Sequence, residues 1–249
     1  MNYRHIALSA LFCVASLTPA SAGSPRAVIE LFTSQGCSSC PPADKLLGEL
    51  SQDPSLVTLS LAVDYWDYLG WKDTLALRGH SNRERAYADA RGDRDVFTPQ
   101  VVVNGLIDVL GSDKAAIDGA IEKTRRSAAP LELPVTLTVA DGKVTAFVPD
   151  AKSDRRSAEV WLCPTTRKVT VAIERGENNG HTLTYTNVVR SWVRLGNWNG
   201  KAQTFTVPVA ELSGPNFALK DIDQLAVLVQ SGVATKPGVI LGAATAKLH

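Results

Sequence analysis

Two rhythms of hydrophobic and polar positions divide the chain. Up to about residue 127, short apolar runs alternate with helical patterns. Ala27–Thr33 (A-V-I-E-L-F-T) and residues 56–63 (L-V-T-L-S-L-A-V) are rich in β-branched and large apolar side chains, which predicts two buried strands. Between them, Pro41 and Pro42 open a helical pattern that runs to about Leu50 and carries Leu46, Leu47 and Leu50 on one face. Proline suits a first helical turn, where its missing N–H would have had no partner. Two apolar strands joined by a helix predict a parallel, right-handed βαβ unit. After an irregular aromatic stretch at residues 64–71, a polar helix begun by a serine cap is predicted over residues 81–90. Two strands, Gln100–Val103 and residues 106–110, flank Asn104-Gly105, a strong two-residue hairpin signal. Gly111-Ser112-Asp113 then caps a last helix to about Arg126, with Ala116, Ile117, Ala120 and Ile121 on one face.

Ala128-Ala129-Pro130 reads as a boundary, because the rhythm beyond it is different. Strands of alternating polarity are predicted at residues 133–140, 144–149, 159–163, 168–175, 182–195, 202–209 and 225–230. Asp141-Gly142, Asn179-Gly180 and Asn199-Gly200 are the predicted turns, and no helix is expected. The expected organisation is an α/β domain over residues 26–127 followed by an all-β, sandwich-like domain over residues 131–249.

The N-terminus reads as an address. Arg4 and His5 give a polar start, residues 6–17 are apolar, and Ala20-Ser21-Ala22 is a small-x-small cleavage pattern. Residues 1–22 are therefore expected to be a secretory signal removed after Ala22, which leaves no stable membrane anchor and places the protein in the periplasm or outside the cell. Cys13 leaves with it, so three of the four cysteines remain: Cys37, Cys40 and Cys163. Met1, the single methionine, also goes, which weakens a copper(I) role built on thioethers. A net charge of +1 without a long basic run gives no electrostatic support for nucleic-acid binding.

Cys37-Ser38-Ser39-Cys40 follows a strand and precedes a helix. There the backbone N–H groups and helix dipole stabilise a thiolate. Cys37 is expected to be the exposed nucleophile and Cys40 the thiol that resolves a mixed disulfide. A structural disulfide and half of a zinc site are the alternatives. For zinc, His80, His181, His249 and Cys163 supply no second paired motif. Cys163 lies in an apolar run (V-W-L-C-P) and reads as a buried small hydrophobe or, less simply, as an intermolecular link.

The order β–CxxC–α–β…Pro–β–β–α matches the thioredoxin-like fold. That likeness implies a cis Thr98-Pro99 bond against the disulfide, leaving the Thr98 backbone free to pair with an extended partner; an ordinary trans proline is the alternative. It also implies that Glu30, one position away from the usual spacing, is either a buried acid relaying a proton to Cys40 or an exposed strand carboxylate. Tyr65, Trp66, Tyr68 and Trp71 would share the sheet edge with Cys37. They are read either as an apolar wall for a partner or as filling against the β domain. Asp64 and Asp67 would raise the thiol pKa or simply be solvated.

The run from Glu30 to Asp44, E-L-F-T-S-Q-G-C-S-S-C-P-P-A-D, is distinctive. With V-D-Y-W-D from Val63, G-W-K-D from Gly70, Thr98-Pro99-Gln100, Val103-Asn104-Gly105 and L-T-Y-T-N-V-V from Leu183, it resembles the domain-of-unknown-function 1223 family. The resemblance implies a secreted bacterial protein with a thioredoxin-like fold and a redox role. Gly36, not tryptophan, precedes the first cysteine, which departs from thioredoxin itself. The expected function is a thiol–disulfide oxidoreductase acting on protein thiols or disulfides. It needs no metal or organic cofactor, because the electrons travel in the thiols. The rival is a non-catalytic binding protein with a structural disulfide.

Overall fold

A computed structural model describes residues 24–127, 130–151 and 157–249. The predicted signal segment, and Ala128 and Ala129 of the predicted boundary, lie outside the described residues.

β1 (Ala27–Thr33) and β2 (Leu56–Ala62) pair in parallel from Ala27–Leu56 to Thr33–Ala62, with α1 (Pro41–Leu50) crossing between them. Both strands are buried along their whole length, so they read as continuous apolar runs rather than as alternation. β3 (Gln100–Val103) pairs antiparallel with the other edge of β1 and turns into β4 (Ile107–Leu110). Asn104 and Gly105 both take left-handed backbone, with φ of 54° and 73°. Asn104 is also buried: it accepts from Val28 N at 2.8 Å and donates to the Thr124 hydroxyl of α3 (Lys114–Ser127) at 2.8 Å. α1 and α3 cover one face of these strands, packing Leu46, Leu47, Ile117 and Ile121 on Ile29, Leu31 and Val101. α2 (Arg78–Arg91) lies on the opposite face, where Tyr87 meets Val28, Phe32 and Leu59.

The second half contributes β5 (Thr136–Ala140), β6 (Lys143–Val148), β7 (Ala158–Ala172), β8 (Thr182–Val189), β9 (Val193–Trp198), β10 (Gln203–Pro208), β11 (Gln224–Val233) and β12 (Lys236–Lys247). Among the described residues, nine strands share one mixed sheet: β12-β11-β7-β8-β2-β1-β3-β4, with β9 also paired to β7. β10, β6 and β5 form a separate antiparallel sheet of three strands. β8 meets β2 in parallel at Ser60 and Val188, so strands from both sides of residue 130 belong to one sheet. The small sheet packs Val144, Ala146, Val148 and Phe205 against Val160, Leu162, Val227 and Val229 of the large one, the sandwich-like part of the molecule. The large sheet curls enough for Ile240 N of β12 to donate to the Asn104 carbonyl at 3.1 Å.

Several elements differ from the sequence expectation. Residues 158–172 form a single strand, not two. Pro164 is tolerated because β9 pairs with β7 up to Leu162 and β8 from Thr165, so its missing N–H falls between two partners. The expected strand at 182–195 is instead β8 and β9. Asn199-Gly200 connects β9 to β10 in the other sheet and closes no hairpin. β12 was not predicted: its Gly and Ala residues give no alternation, because Ile240 to Ala243 are buried on both faces. α2 begins at Arg78, so Ser81 lies inside the helix, buried, and does not cap it.

Candidate redox site

Cys37 and Cys40 form a disulfide in the turn that leads into α1. Cys40 is the N-cap residue, its carbonyl accepting from the Ala43 and Asp44 amides, so the pair precedes the first helical turn instead of lying on it. Pro41 and Pro42 then start the helix. Cys37 is 1% exposed and Cys40 is fully buried, which corrects the expectation of an exposed Cys37. Cys37 Sγ lies 3.4 Å from Ser39 Oγ and 3.7 Å from the Thr98 carbonyl. The Thr98-Pro99 bond is cis. Thr98 stands just ahead of β3 and outside its pairing with β1.

The aromatic residues separate into two places. Trp66 donates its indole N–H to Thr98 Oγ1 at 2.8 Å. Tyr65 is tilted against Trp66 on one side, and Tyr68 stacks on it at 6.5 Å. Tyr68 is 78% exposed, so this group presents an aromatic surface beside Cys37. Gly36 gives the room for this approach, because a Cβ on it would sit 3.0 Å from Trp66 Cβ, tighter than an ordinary contact. Trp71 stands apart: it donates to Gln35 Oε1 at 2.8 Å and faces Gly176 of the β7–β8 loop, residues 173–181. That loop also reaches the pair. Asn178 Nδ2 donates to the carbonyls of Gln35 and Cys37, each at 2.9 Å, and Glu177 Oε2 accepts from Ser38 N at 3.1 Å.

Glu30 is fully buried but faces away from α1, since side chains alternate along β1 and Ile29 and Leu31 face that helix. It is held by Arg83 at 2.6 and 3.1 Å and by the Tyr87 hydroxyl at 2.5 Å, while Arg83 also donates to Gln230 at 2.9 Å. Burial disfavours the Arg83 charge, yet Glu30 keeps it protonated. This site residue is therefore part of a satisfied network tying β1, α2 and β11, remote from the α1 face that carries the pair.

Other carboxyls surround the site on both faces of the sheet. Asp44 lies one turn beyond Cys40, and helical side chains tilt back toward the N-terminus. Both its oxygens are buried without a normally aligned hydrogen-bond partner, as are the hydroxyls of Thr33 and Tyr185. Burial pushes the Asp44 carboxyl well above its ordinary value. Asp73 accepts from Gln35 N at 2.8 Å, and burial pushes it up to about 6. Glu84 accepts from Tyr65 at 3.2 Å; burial pushes it up to about 8, and its other oxygen is unpaired. Asp64 and Asp67 are structural acceptors, for Ser81 and for Asp73 N. Cys163 is a free, buried thiol whose pKa burial raises. Among the described residues, no three His, Cys, Asp or Glu side chains converge to hold a metal ion.

The sequence comparison matches a family model described as "Protein of unknown function (DUF1223)" over residues 28–230. The chain belongs to this family. The match spans the cysteine pair, Thr98-Pro99 and the β7–β8 loop, so the whole candidate site lies in the DUF1223 region. This DUF1223 protein is similar to a protein from Agrobacterium tumefaciens whose X-ray crystal structure was a structural genomics target. Identity is 34%, with 89% of this chain and 94% of that chain covered and a TM-score of 0.77. Comparison with curated proteins finds no match.

The residues missed in the sequence are Asp44, Asp73, Glu84, Glu177 and Asn178. Asp44 had a signal, the i,i+4 spacing from Cys40. Asn178 had none, because it is 141 residues from Cys37 and reaches it only through the shared sheet.

Proposed function

We propose that this DUF1223 protein is a thiol–disulfide oxidoreductase with a thioredoxin-like arrangement, working in the periplasm or outside the cell, where disulfides persist. The observation that carries the reading is the Cys37–Cys40 disulfide at the start of α1, set against the Thr98 carbonyl. The order β1, cysteine pair, α1, β2, Thr98-Pro99, β3, β4, α3 on one sheet supports the fold assignment.

In the oxidising direction, a partner thiolate attacks Cys37 Sγ and the Cys37–Cys40 bond breaks, leaving Cys40 as thiolate. A second partner thiolate attacks the partner sulfur of the mixed disulfide and releases Cys37. The partner loses two electrons and two protons and the pair gains them. In the reverse direction Cys40 must lose its proton to attack the mixed disulfide. Asp44, one turn away with both oxygens unpaired, is the group assigned to accept it. Glu30 is left a structural role by its bonds to Arg83 and Tyr87. The Thr98 backbone and the Tyr65–Trp66–Tyr68 surface would hold the partner chain.

Equilibration against glutathione, followed by alkylation and mass spectrometry, tests the reading. A potential between about −120 and −270 mV is expected for a working oxidoreductase. A value below about −300 mV would mark a structural disulfide. The second reading, a binding protein on the same scaffold, would then hold; the burial of Cys37 is the observation that favours it.

A further inference from the structure

The β7–β8 loop belongs to the half of the chain that carries no redox residue, yet it grips the pair on both sides of Cys37. Asn178 is 5% exposed, buried among exposed neighbours at the loop tip. Its single amide group bridges the carbonyls before and at Cys37. Glu177 is exposed and spends a carboxylate oxygen on the Ser38 amide. Hydrogen bonding from Ser38, through its hydroxyl and its backbone amide, holds Glu177 below the usual carboxylate range.

Gly176 and Gly180 take left-handed backbone at 76° and 80°, and the backbone bonds of Ile173 with Gly180 and His181 close the loop upon itself. Its hydrogen bonds to the cysteine segment are those of the Asn178 amide and the Glu177 carboxylate, so the loop can lift from Cys37 without breaking its own backbone bonds. The Ser38 amide directly follows Cys37 and points toward negative charge. It is the kind of donor that stabilises a thiolate, and in the closed state a carboxylate already occupies it.

We propose that the β7–β8 loop is a redox-coupled latch on Cys37. Asn178 is a positioning residue that pins the Cys37 backbone in its buried state. Glu177 takes the amide that a Cys37 thiolate would use. A thiolate formed on reduction competes with Glu177 for Ser38 N and repels it, so reduction favours loop release. By linkage, loop release favours reduction to the same extent. The latch rests on the oxidoreductase reading for its use as a regulator of partner access.

The test follows reduction of the intact protein by dithiothreitol, whose two thiols supply the two electrons and two protons and close to a cyclic disulfide. Quenched alkylation with mass spectrometry gives the rate. Asn178→Ala should be reduced about tenfold faster than wild type, the effect of losing roughly one net hydrogen bond's worth of closure. Glu177→Gln keeps an acceptor but removes the charge. It should shift the thiol–disulfide equilibrium severalfold toward the dithiol and lower the Cys37 thiol pKa, read as thiolate absorbance. Hydrogen exchange on wild type avoids any folding defect of a variant: residues 174–180 should exchange faster in the reduced than in the oxidised protein.

Equal reduction rates for Asn178→Ala and wild type, or equal exchange in the two redox states, would overturn the latch. If the wild-type potential is structural but Asn178→Ala still accelerates reduction, the latch stands and the oxidoreductase reading falls. If the potential is that of a working enzyme and the loop variants change nothing, the latch falls alone.

Discussion

Two buried polar clusters lie on opposite faces of β1 and differ in how their charges are answered. On the α2 face, Glu30, Arg83, Tyr87 and Gln230 satisfy one another across three elements. On the α1 face, Asp44, Thr33 and Tyr185 keep buried oxygens without partners, and Asp73 is pushed up to about 6. A saturated network fixes how elements sit together, whereas carboxyls held away from their ordinary pKa are where proton chemistry concentrates. Judged by type alone, Glu30 and Asp44 are equivalent acids near a cysteine pair. Their surroundings separate them.

The contrast is broken most severely at Arg83. Arg83→Met leaves the buried Glu30 carboxylate without its counter-charge, with the Tyr87 hydroxyl still donating to it, and should cost about 3–5 kcal/mol, read from the urea midpoint. The additional change Glu30→Gln should recover part of that loss, and no recovery would mean that Arg83 acts mainly through packing.

Glu84 gives the next largest effect, and its sign is fixed by linkage. Its folded pKa of about 8 lies above its ordinary 4.5, so between these values the folded state binds the extra proton. Stability should therefore be fully present below about pH 4.5 and fall as the pH rises to about 8, by on the order of a few kcal/mol. Glu84→Gln should flatten that limb of the melting temperature against pH.

Reducing the disulfide should cost about 2 kcal/mol, since it closes only a four-residue loop. A much larger loss would mark the bond as structural. Asp44→Asn sharpens the comparison from the other side. Stability at neutral pH should hold or rise, because a neutral amide replaces a carboxyl whose ionised form burial disfavours. Resolution of a mixed disulfide at Cys37 should slow by about a hundredfold, with its pH dependence displaced. Single-turnover exchange with a labelled mixed disulfide reads both. Smallest is Tyr68→Ala, exposed and stacked on Trp66: stability should stay within about 0.5 kcal/mol, while KM for a protein partner rises and kcat is kept.

The elements around the pair were legible because each had a local cause: uninterrupted apolar runs for β1 and β2, two prolines for the start of α1, Asn104-Gly105 for the hairpin. The polar helix carried no sign of which residues it buries, because Ser81, Arg83 and Glu84 are polar. In the fold they are buried, and the Glu30 charge with bonds to Tyr87 and Gln230 makes that burial tolerable for Arg83. β12 escaped notice because a strand buried on both faces by small residues has neither alternation nor bulk to signal it.

By itself the sequence determined the cysteine pair, the helix that starts behind it, the position of Thr98-Pro99 and the family to which the chain belongs. These depend on spacing and turn chemistry within a few residues. The tertiary structure decided that Glu30 is held away from the pair, that Cys37 is closed from solvent, and that a loop more than 130 residues away lies on it. Those outcomes depend on which strands become neighbours, and pairing β8 with β2 brings distant residues together with no local trace in either segment.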